Sequence, residues 1–202
     1  ASVALWKIDY TNRIVSTFDP DLGYSIDRNV GDVDMWGAEA QVAQRIGDAF
    51  SVSASGSYTR TELQENQPFG LVPGGIEQFL ALEGNALVET PELQFALRAD
   101  YDINENIHLG LQGKWVDERF ATDTNDETTP AYTVVDFDAS WAFPLADDQE
   151  LEFQFNVTNV LDEEYYGTIS SGVGSAPLPC VREGSTTIVN CVTSTGANTP
   201  GG

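Results

Sequence analysis

The feature that most constrains this chain is a two-residue alternation of apolar and polar side chains, which recurs along most of its length. In LEFQFNVTN, Leu151, Phe153 and Phe155 are separated by single polar residues. Successive side chains of a β-strand point to opposite faces, so this period predicts a strand with one apolar and one polar face. The period predicts about seven long antiparallel strands and no helix. We place the strands at 2–11, 33–46, 50–61, 93–102, 107–117, 131–143 and 151–162.

The length of these strands indicates which face meets water. In a soluble sandwich the apolar faces lie inside, whereas in a membrane barrel they lie outside against lipid. A tilted strand needs roughly 9–11 residues to cross a bilayer, and a globular strand usually has about 5–6. Because the predicted strands are about ten residues long, they favour a membrane barrel.

The connections between the strands alternate between short and long. Outer-membrane barrels have short periplasmic turns on one rim and long extracellular loops on the other. We therefore predict an up-and-down transmembrane β-barrel segment, with region 164–202 as the last extracellular loop. The short connections are 47–49, 103–106 and 145–149, and the long ones are 18–32, 62–91, 118–130 and 164–202.

In such a barrel the polar face of each strand lines the interior. In residues 2–11, one set of alternating residues includes Trp6 and Ile8 and the other includes Leu5 and Lys7. The predicted interior residues are Glu39, Gln41, Ser53, Ser55, Arg98, Gln112, Lys114, Asp136, Asp138, Gln154 and Asn156.

Charge limits the partners of the chain. The 202 residues include 32 acidic and 9 basic ones, which gives a formal net charge of -23. Such a field repels phosphate backbones, so we expect no nucleic-acid partner. It also repels anionic ferric complexes, and a neutral or cationic ligand fits the segment better.

Three segments together resemble a known family. Residues 159–166 (NVLDEEYY) resemble the Asn-(Val/Leu)-(Phe/Leu)-Asp-x-x-Tyr signature in the penultimate strand of TonB-dependent outer-membrane receptors. Residues 29–39 (NVGDVDMWGAE) look like the family's Gly-x-Glu at the start of a descending strand, and residues 10–15 (YTNRIV) look like the outgoing strand before it. The motif residues are Asn159, Leu161, Asp162, Tyr165, Gly37 and Glu39.

The resemblance implies a barrel of about 22 strands around an N-terminal plug. It also implies active import of a scarce nutrient, of the siderophore, cobalamin or carbohydrate class, with energy from TonB. Only the last third of such a receptor is matched, so we expect a partial barrel that lacks the plug, the TonB box, the earlier strands and the terminal strand. Outer-membrane lipid, lipopolysaccharide, TonB and a small-molecule nutrient are the expected partners, and the bacterial outer membrane is the expected location.

Two alternatives remain open. Residues 186–192 provide a candidate eighth strand that would close a small barrel. A self-contained barrel or sandwich would be a binding or adhesion protein and not a transporter.

Few residues suggest chemistry. Cys180 and Cys191 form an even pair in a cell-envelope context, which predicts a disulfide. His108 is the only histidine, and no nucleophile motif accompanies it, so we expect neither an enzyme nor a cofactor. The acidic loop 123–127 lacks the glycine and distal glutamate of an EF-hand, so we expect no metal site.

The connection 62–91 is unusually apolar for an exposed loop. It contains Phe69, Leu71 and Phe79 among glycines and prolines. We interpret these three side chains as a possible ligand-contacting loop, with packing of the loop against itself as the equally strong alternative.

Overall fold

The computed structural model describes residues 1–12, 14–19, 24–29, 31–72, 74–145, 149–169, 172–175 and 177–192. Every regular element in these ranges is a β-strand. The described ranges contain no helix that is long and apolar enough to cross a membrane. In chain order the strands are β1 (Ser2–Tyr10), β2 (Ile14–Asp19), β3 (Tyr24–Asn29), β4 (Val33–Ile46), β5 (Phe50–Leu63), β6 (Gln67–Val72), β7 (Ile76–Leu80), β8 (Leu93–Asn104), β9 (Ile107–Val116), β10 (Arg119–Phe120), β11 (Thr128–Thr129), β12 (Tyr132–Pro144), β13 (Glu150–Val157), β14 (Pro179–Arg182) and β15 (Val189–Asn190).

The long strands form one antiparallel sheet, called here the main sheet. Its seven strands have the order β1-β4-β5-β8-β9-β12-β13, so each pairs with the next long strand along the chain. This confirms the predicted all-β, up-and-down arrangement. Strands β1 and β13 are the two edges, and within the described ranges they do not pair with each other, so the sheet is an open wall.

The main sheet has one apolar and one polar face. The register pairs Trp141 with Phe153 on the apolar face and Ser140 with Gln154 on the polar face. All the residues predicted to line an interior lie on the polar face. Large side chains of the apolar face are exposed, namely Val3, Leu5, Trp36, Val42, Ile46, Phe95, Leu97, Tyr101, Leu111, Trp141, Phe143, Leu151, Phe153 and Phe155.

Strand β1 shows where alternation alone does not identify the face. The register pairs Trp6 with Gly37, which lies on the same face of β4 as Glu39. Trp6 therefore lies on the polar face. Leu5 lies opposite Ala38 on the apolar face and is 82% exposed. Both alternating sets of this strand contain apolar residues, so only the neighbouring strand shows which set faces which way.

The last long strand is shorter than predicted. We expected it to span 151–162, but β13 ends at Val157. Asn159 and Asp162 have φ angles of 52° and 54°, which belong to the left-handed region and cannot continue a strand. The motif that identifies this region therefore forms a turn and not the end of a strand.

Where the structure describes them, short and long connections lie at opposite ends of the main sheet, as predicted. Parts of the predicted connections 18–32, 145–149 and 164–202 lie outside the described residues. Turns 47–49 and 105–106 join β4 to β5 and β8 to β9 at the short-turn end. The opposite end, called the long-loop end, carries the connections 64–92, 117–131 and 158–192. The long connection predicted at 62–91 contains the paired strands β6 and β7.

The candidate eighth strand does not close a barrel. Residues 189–190 pair with 179–180, inside a small sheet at the long-loop end, and not with either edge of the main sheet. No second sheet packs on the apolar face within the described residues, which argues against a sandwich. The buried apolar cluster instead lies at the long-loop end and consists of Val33, Leu63, Phe69, Leu80, Leu82, Leu178, Cys180 and Cys191.

Candidate functional site

Three long connections fold together into one unit, called here the cap. It comprises the described residues of 64–92, 117–131 and 158–192. Within it, four strands form a sheet of order β15-β14-β7-β6, so segments that are about a hundred residues apart become neighbours. Six of the eight residues of the buried apolar cluster lie in the cap, and Val33 and Leu63 join them from the ends of β4 and β5. The cap is therefore a packed unit that shares its buried cluster with the long-loop end of the main sheet.

A disulfide between the two cysteines cross-links the cap. Cys180 and Cys191 are bonded, with Cα atoms 5.0 Å apart, and both side chains are buried. Nearby, the buried amide of Gln78 donates to the carbonyl of Val192, and its oxygen accepts from the Val192 amide at 3.3 Å. The disulfide and the amide thus fix the segment 180–192 against β7.

The three side chains interpreted as ligand-contacting lie in different surroundings. Phe69 is buried in the apolar cluster, so it packs within the cap. Leu71 is 47% exposed, and Phe79 is half-buried opposite Pro68 and Val181. Of the three, Leu71 is the most accessible to a ligand, and contact with a ligand stays a prediction for all of them.

Asparagine side chains lock two of the connections together. The Asn125 oxygen accepts from the Ala86 amide at 2.7 Å, and its nitrogen donates to the Ala86 carbonyl at 3.0 Å. Asn85 donates to the carbonyl of Asp123 at 2.9 Å. A backbone bridge between Thr122 and Gly172 joins the third connection to the same place.

The carboxylate of Asp126 is the acceptor for this junction. It accepts from the hydroxyls of Thr124 and Thr122 at 2.6 and 2.7 Å and from the Ser175 amide at 2.9 Å. Desolvation raises the pKa of Asp126, but the hydrogen bonds from the two threonines and from Ser175 outweigh it, so the pKa lies well below its ordinary value. The Asp126 carboxylate, part of the acidic segment 123–127, thus accepts hydrogen bonds from within the cap.

The family motif at 159–165 forms a capped turn. The Asn159 oxygen accepts from the Glu163 amide and its nitrogen donates to the Glu163 carbonyl, both at 3.0 Å. The Asn159 amide donates to Asp136 on the polar face at 2.9 Å, which ties the turn to β12. Leu161 is exposed, and Tyr165 stacks on Tyr132 with ring centroids 4.4 Å apart.

The Gly-x-Glu motif has a steric explanation at its glycine. Gly37 is buried beneath the ring of Trp6, and a Cβ atom there would clash with the carbonyl oxygen of Tyr58 and with that ring. Glu39, two residues further on, is exposed on the polar face opposite Ala4.

A charged cluster crosses three strands on the polar face near the short-turn end. Arg98 binds both carboxylate oxygens of Asp138, at 3.1 and 3.2 Å, and Asp100 at 2.7 Å. His108 contacts Asp102 at 2.8 Å and Asp100 at 3.4 Å. Each of these side chains thus has a partner of opposite charge or a hydrogen-bond partner, and the cluster holds β8, β9 and β12 together.

The described ranges contain no group of three or more His, Cys, Asp or Glu side chains arranged to hold a metal ion. His108 hydrogen-bonds to a carboxylate and to no serine in that part of the chain. Its surroundings therefore do not form the nucleophile and base of a hydrolase.

Sequence reasoning missed the residues that organise the cap. Asn125 has a φ of 56°, and its neighbours are turn formers. A turn at this position is predictable from the sequence, but the contact of Asn125 with Ala86 is not. Arg119 was missed altogether, although it is the only basic residue of its connection. It is buried, donates to the carbonyl of Tyr166 at 2.6 Å and lies over the ring of Tyr132.

Solved structures have the same fold over most of this chain. The siderophore receptor PiuA from Acinetobacter baumannii superposes with a TM-score of 0.63 at 22% identity, over 81% of this chain and 22% of PiuA. BauA, the ferric preacinetobactin receptor from the same organism, gives a TM-score of 0.60 at 17% identity, over 81% of this chain and 23% of BauA. The chain thus spans less than a quarter of the length of these receptors.

The family match covers the main sheet as far as the motif turn. The sequence profile described as TonB dependent receptor-like, beta-barrel, matches residues 1–160. Members of that family are transporters and not enzymes, and the open main sheet is a partial barrel wall. This chain belongs to the TonB-dependent receptor β-barrel family.

Proposed function

We propose that this chain is part of an outer-membrane receptor that imports a scarce small-molecule nutrient with energy supplied through TonB. The observation that carries the proposal is the exposed apolar face of the main sheet, with Phe153 at 57% and Phe155 at 61% exposure. A face of this size is stable next to lipid and costly in water. In the proposal, outer-membrane lipid and lipopolysaccharide cover it, and TonB acts through a plug region outside these residues.

The cap gives the proposed orientation. Long loops face the outside of outer-membrane barrels and short turns face the periplasm. The long-loop end is therefore the proposed extracellular side, and residues 164–202 are proposed to be the last extracellular loop. A nutrient would meet the cap first and then the polar face of the main sheet, which we assign to the barrel interior.

The charge of the cap bears on the ligand class. Its connections contain many acidic residues and only Arg119 and Arg182 as basic ones. Such a surface repels polyanions and admits neutral or weakly charged molecules. PiuA and BauA are siderophore receptors, which supports a siderophore, with cobalamin and carbohydrate as further classes.

Uptake by cells tests the proposal. A strain without the gene is supplied with the full-length gene or with a variant in which 67–80 is replaced by a Gly-Ser linker of equal length. Growth is measured with ferric siderophores, cobalamin or an oligosaccharide as the limiting nutrient. We expect one nutrient to depend on the intact gene and on TonB, and the linker variant to reach the membrane but lose uptake. Nutrient uptake that is unchanged by loss of TonB would contradict the proposal.

A further inference from the structure

A buried arginine without a counter-ion lies in the cap. Arg119 is only 8% exposed, and within the described ranges no carboxylate oxygen lies within 4.0 Å of its guanidinium nitrogens. Its Nη2 donates to the carbonyl of Tyr166 at 2.6 Å, and its Nε is buried without a hydrogen-bond partner there. Burying a charge is costly unless it is paired with an opposite charge, so this arrangement is incomplete.

Carboxylates that could serve as a counter-ion for Arg119 are present nearby in the sequence. It has 32 acidic residues, and Asp117 and Glu118 directly precede Arg119. The Asp117 carboxylate accepts from the amide of Glu118 at 2.9 Å, and the Glu118 side chain is exposed. In place of a carboxylate, a neutral carbonyl oxygen and the ring of Tyr132, 5.7 Å from the guanidinium carbon, surround the charge.

The arginine lies beside an aromatic pair at the mouth of the polar face. Tyr132 is the first residue of β12. Its side chain lies on the same face of the strand as Asp136 and Asp138. Tyr165 stacks on it at 4.4 Å with an angle of 18° between the rings, and it is 44% exposed. A flat ring that carries a negative group would meet both an aromatic surface and a guanidinium here.

We propose that Arg119 is the anchor for a carboxylate of the imported ligand, and that the carboxylate displaces the carbonyl of Tyr166. The inference rests on the proposed function, because it names a chemical group of the nutrient that the cap receives. Segment 163–169 is irregular and is held by the Asn159 turn, the Tyr165 stack and the Arg119 contact. Loss of the third contact frees the segment to move away from the arginine.

Carboxylate is the group that this site favours. A guanidinium binds it through two parallel charge-assisted hydrogen bonds, which are stronger than one bond to a neutral carbonyl. The acidic cap excludes ligands with several negative charges. The ligand is therefore a molecule of low net charge that has one accessible carboxylate, ideally next to an aromatic ring.

Benzoate and its neutral analogue benzamide test the site on the full-length receptor purified in detergent. Both probes are titrated while the Arg Nε–H signals are followed by NMR, and amide hydrogen exchange is measured for 163–169. Arg119→Gln removes the charge, and Arg182→Gln is the matched control because Arg182 is exposed on β14. The β-sheet circular dichroism and the binding of benzamide report whether each variant is folded.

We expect benzoate to bind about tenfold or more tightly than benzamide, to shift the Arg119 Nε–H signal and to speed exchange in 163–169. Arg119→Gln should abolish the preference for benzoate, and Arg182→Gln should retain it. Equal binding of the two probes, absence of benzoate binding, or a preference that survives Arg119→Gln would overturn the inference. Because no transport is measured, these results are independent of the uptake experiment, which alone decides the proposed function.

Discussion

Gly37 lies at a position of the main sheet that leaves no room for a larger residue. A methyl group at this position would clash with the carbonyl of Tyr58 and with the ring of Trp6. We expect Gly37→Ala to destabilise the full-length barrel by about 1–3 kcal/mol, the usual cost of overpacking. Urea unfolding of the receptor in lipid vesicles, followed by tryptophan fluorescence, measures this free energy.

Gly113→Ala is the matched control. Gly113 lies on the apolar face of β9, and a Cβ atom there meets nothing within 4 Å. Its free energy of unfolding should change by less than about 0.5 kcal/mol. Equal effects of the two substitutions would show that the contact with Trp6 and Tyr58 does not explain the glycine of the Gly-x-Glu motif.

Asp126 gives the cap a predicted dependence on pH. Because its hydrogen bonds hold the pKa below the ordinary value, the stability it contributes is complete above the unfolded pKa, which is about 3.9. That contribution is lost as the pH falls further, through the lower pKa of the folded state. Pepsin cleavage of the cap, measured from pH 5 to pH 2, should therefore differ most between wild type and Asp126→Asn at pH 5.

The difference in cleavage should shrink as the medium becomes more acidic. Glu118→Gln changes an exposed carboxylate in the same connection and serves as the control. Its cleavage rate should stay close to that of wild type at every pH. A gap between wild type and Asp126→Asn that widens toward low pH would contradict the assigned hydrogen bonds.

At the scale of elements, the long strands were predictable and the short ones were not. A strand with one face toward lipid repeats apolar residues at every second position, as in Leu151, Phe153 and Phe155, and this regularity is visible in the sequence. Strands β6 and β7 have buried residues on an irregular pattern and include a register shift between Pro68 and Gly70. Their pairing with β14 joins distant parts of the chain, which local patterns do not reveal.

The candidate site likewise combines features that local sequence patterns predict with contacts that only the fold creates. The Cys180 and Cys191 pairing followed from an even count of cysteines, and the motif residues followed from the family signature. The role of Arg119 depends on Tyr132 and Tyr166, which only the folded cap brings next to it. The face of Trp6 likewise depends on the register with Gly37.

The disulfide is expected to stabilise the cap and not the main sheet. It closes a loop whose ends are 11 residues apart, and the chain-entropy model gives about 2–3 kcal/mol for such a loop. In the variant with both Cys180→Ala and Cys191→Ala, hydrogen exchange should quicken at Ala81, whose amide donates to Pro179 at 2.9 Å. Exchange at Leu111 in β9 should stay unchanged and is the internal control.

Wild-type receptor treated with a reductant under mild denaturation should behave like the double variant. Equal protection of Ala81 in the oxidised and cysteine-free proteins would mean that the four-stranded sheet holds the cap without the disulfide.

At the scale of the whole molecule, apolar side chains are distributed in an unusual way. Most of the buried cluster lies in the cap, and the main sheet exposes large apolar residues along one complete face. A water-soluble protein would bury that face against a second layer. In the proposed membrane setting, lipid is that layer, and the polar face with its charged cluster is left for the barrel interior.

Cysteine accessibility at two adjacent residues of β13 tests this central claim most directly. Phe153 lies on the apolar face and Gln154 on the polar face, and the two native cysteines are already bonded to each other. Full-length Phe153→Cys and Gln154→Cys receptors are exposed, in intact outer membranes, to a water-soluble maleimide, with urea-unfolded samples as the reference for complete labelling. We predict that Gln154→Cys is labelled and Phe153→Cys is protected. Ready labelling of Phe153→Cys with protection of Gln154→Cys would contradict the account.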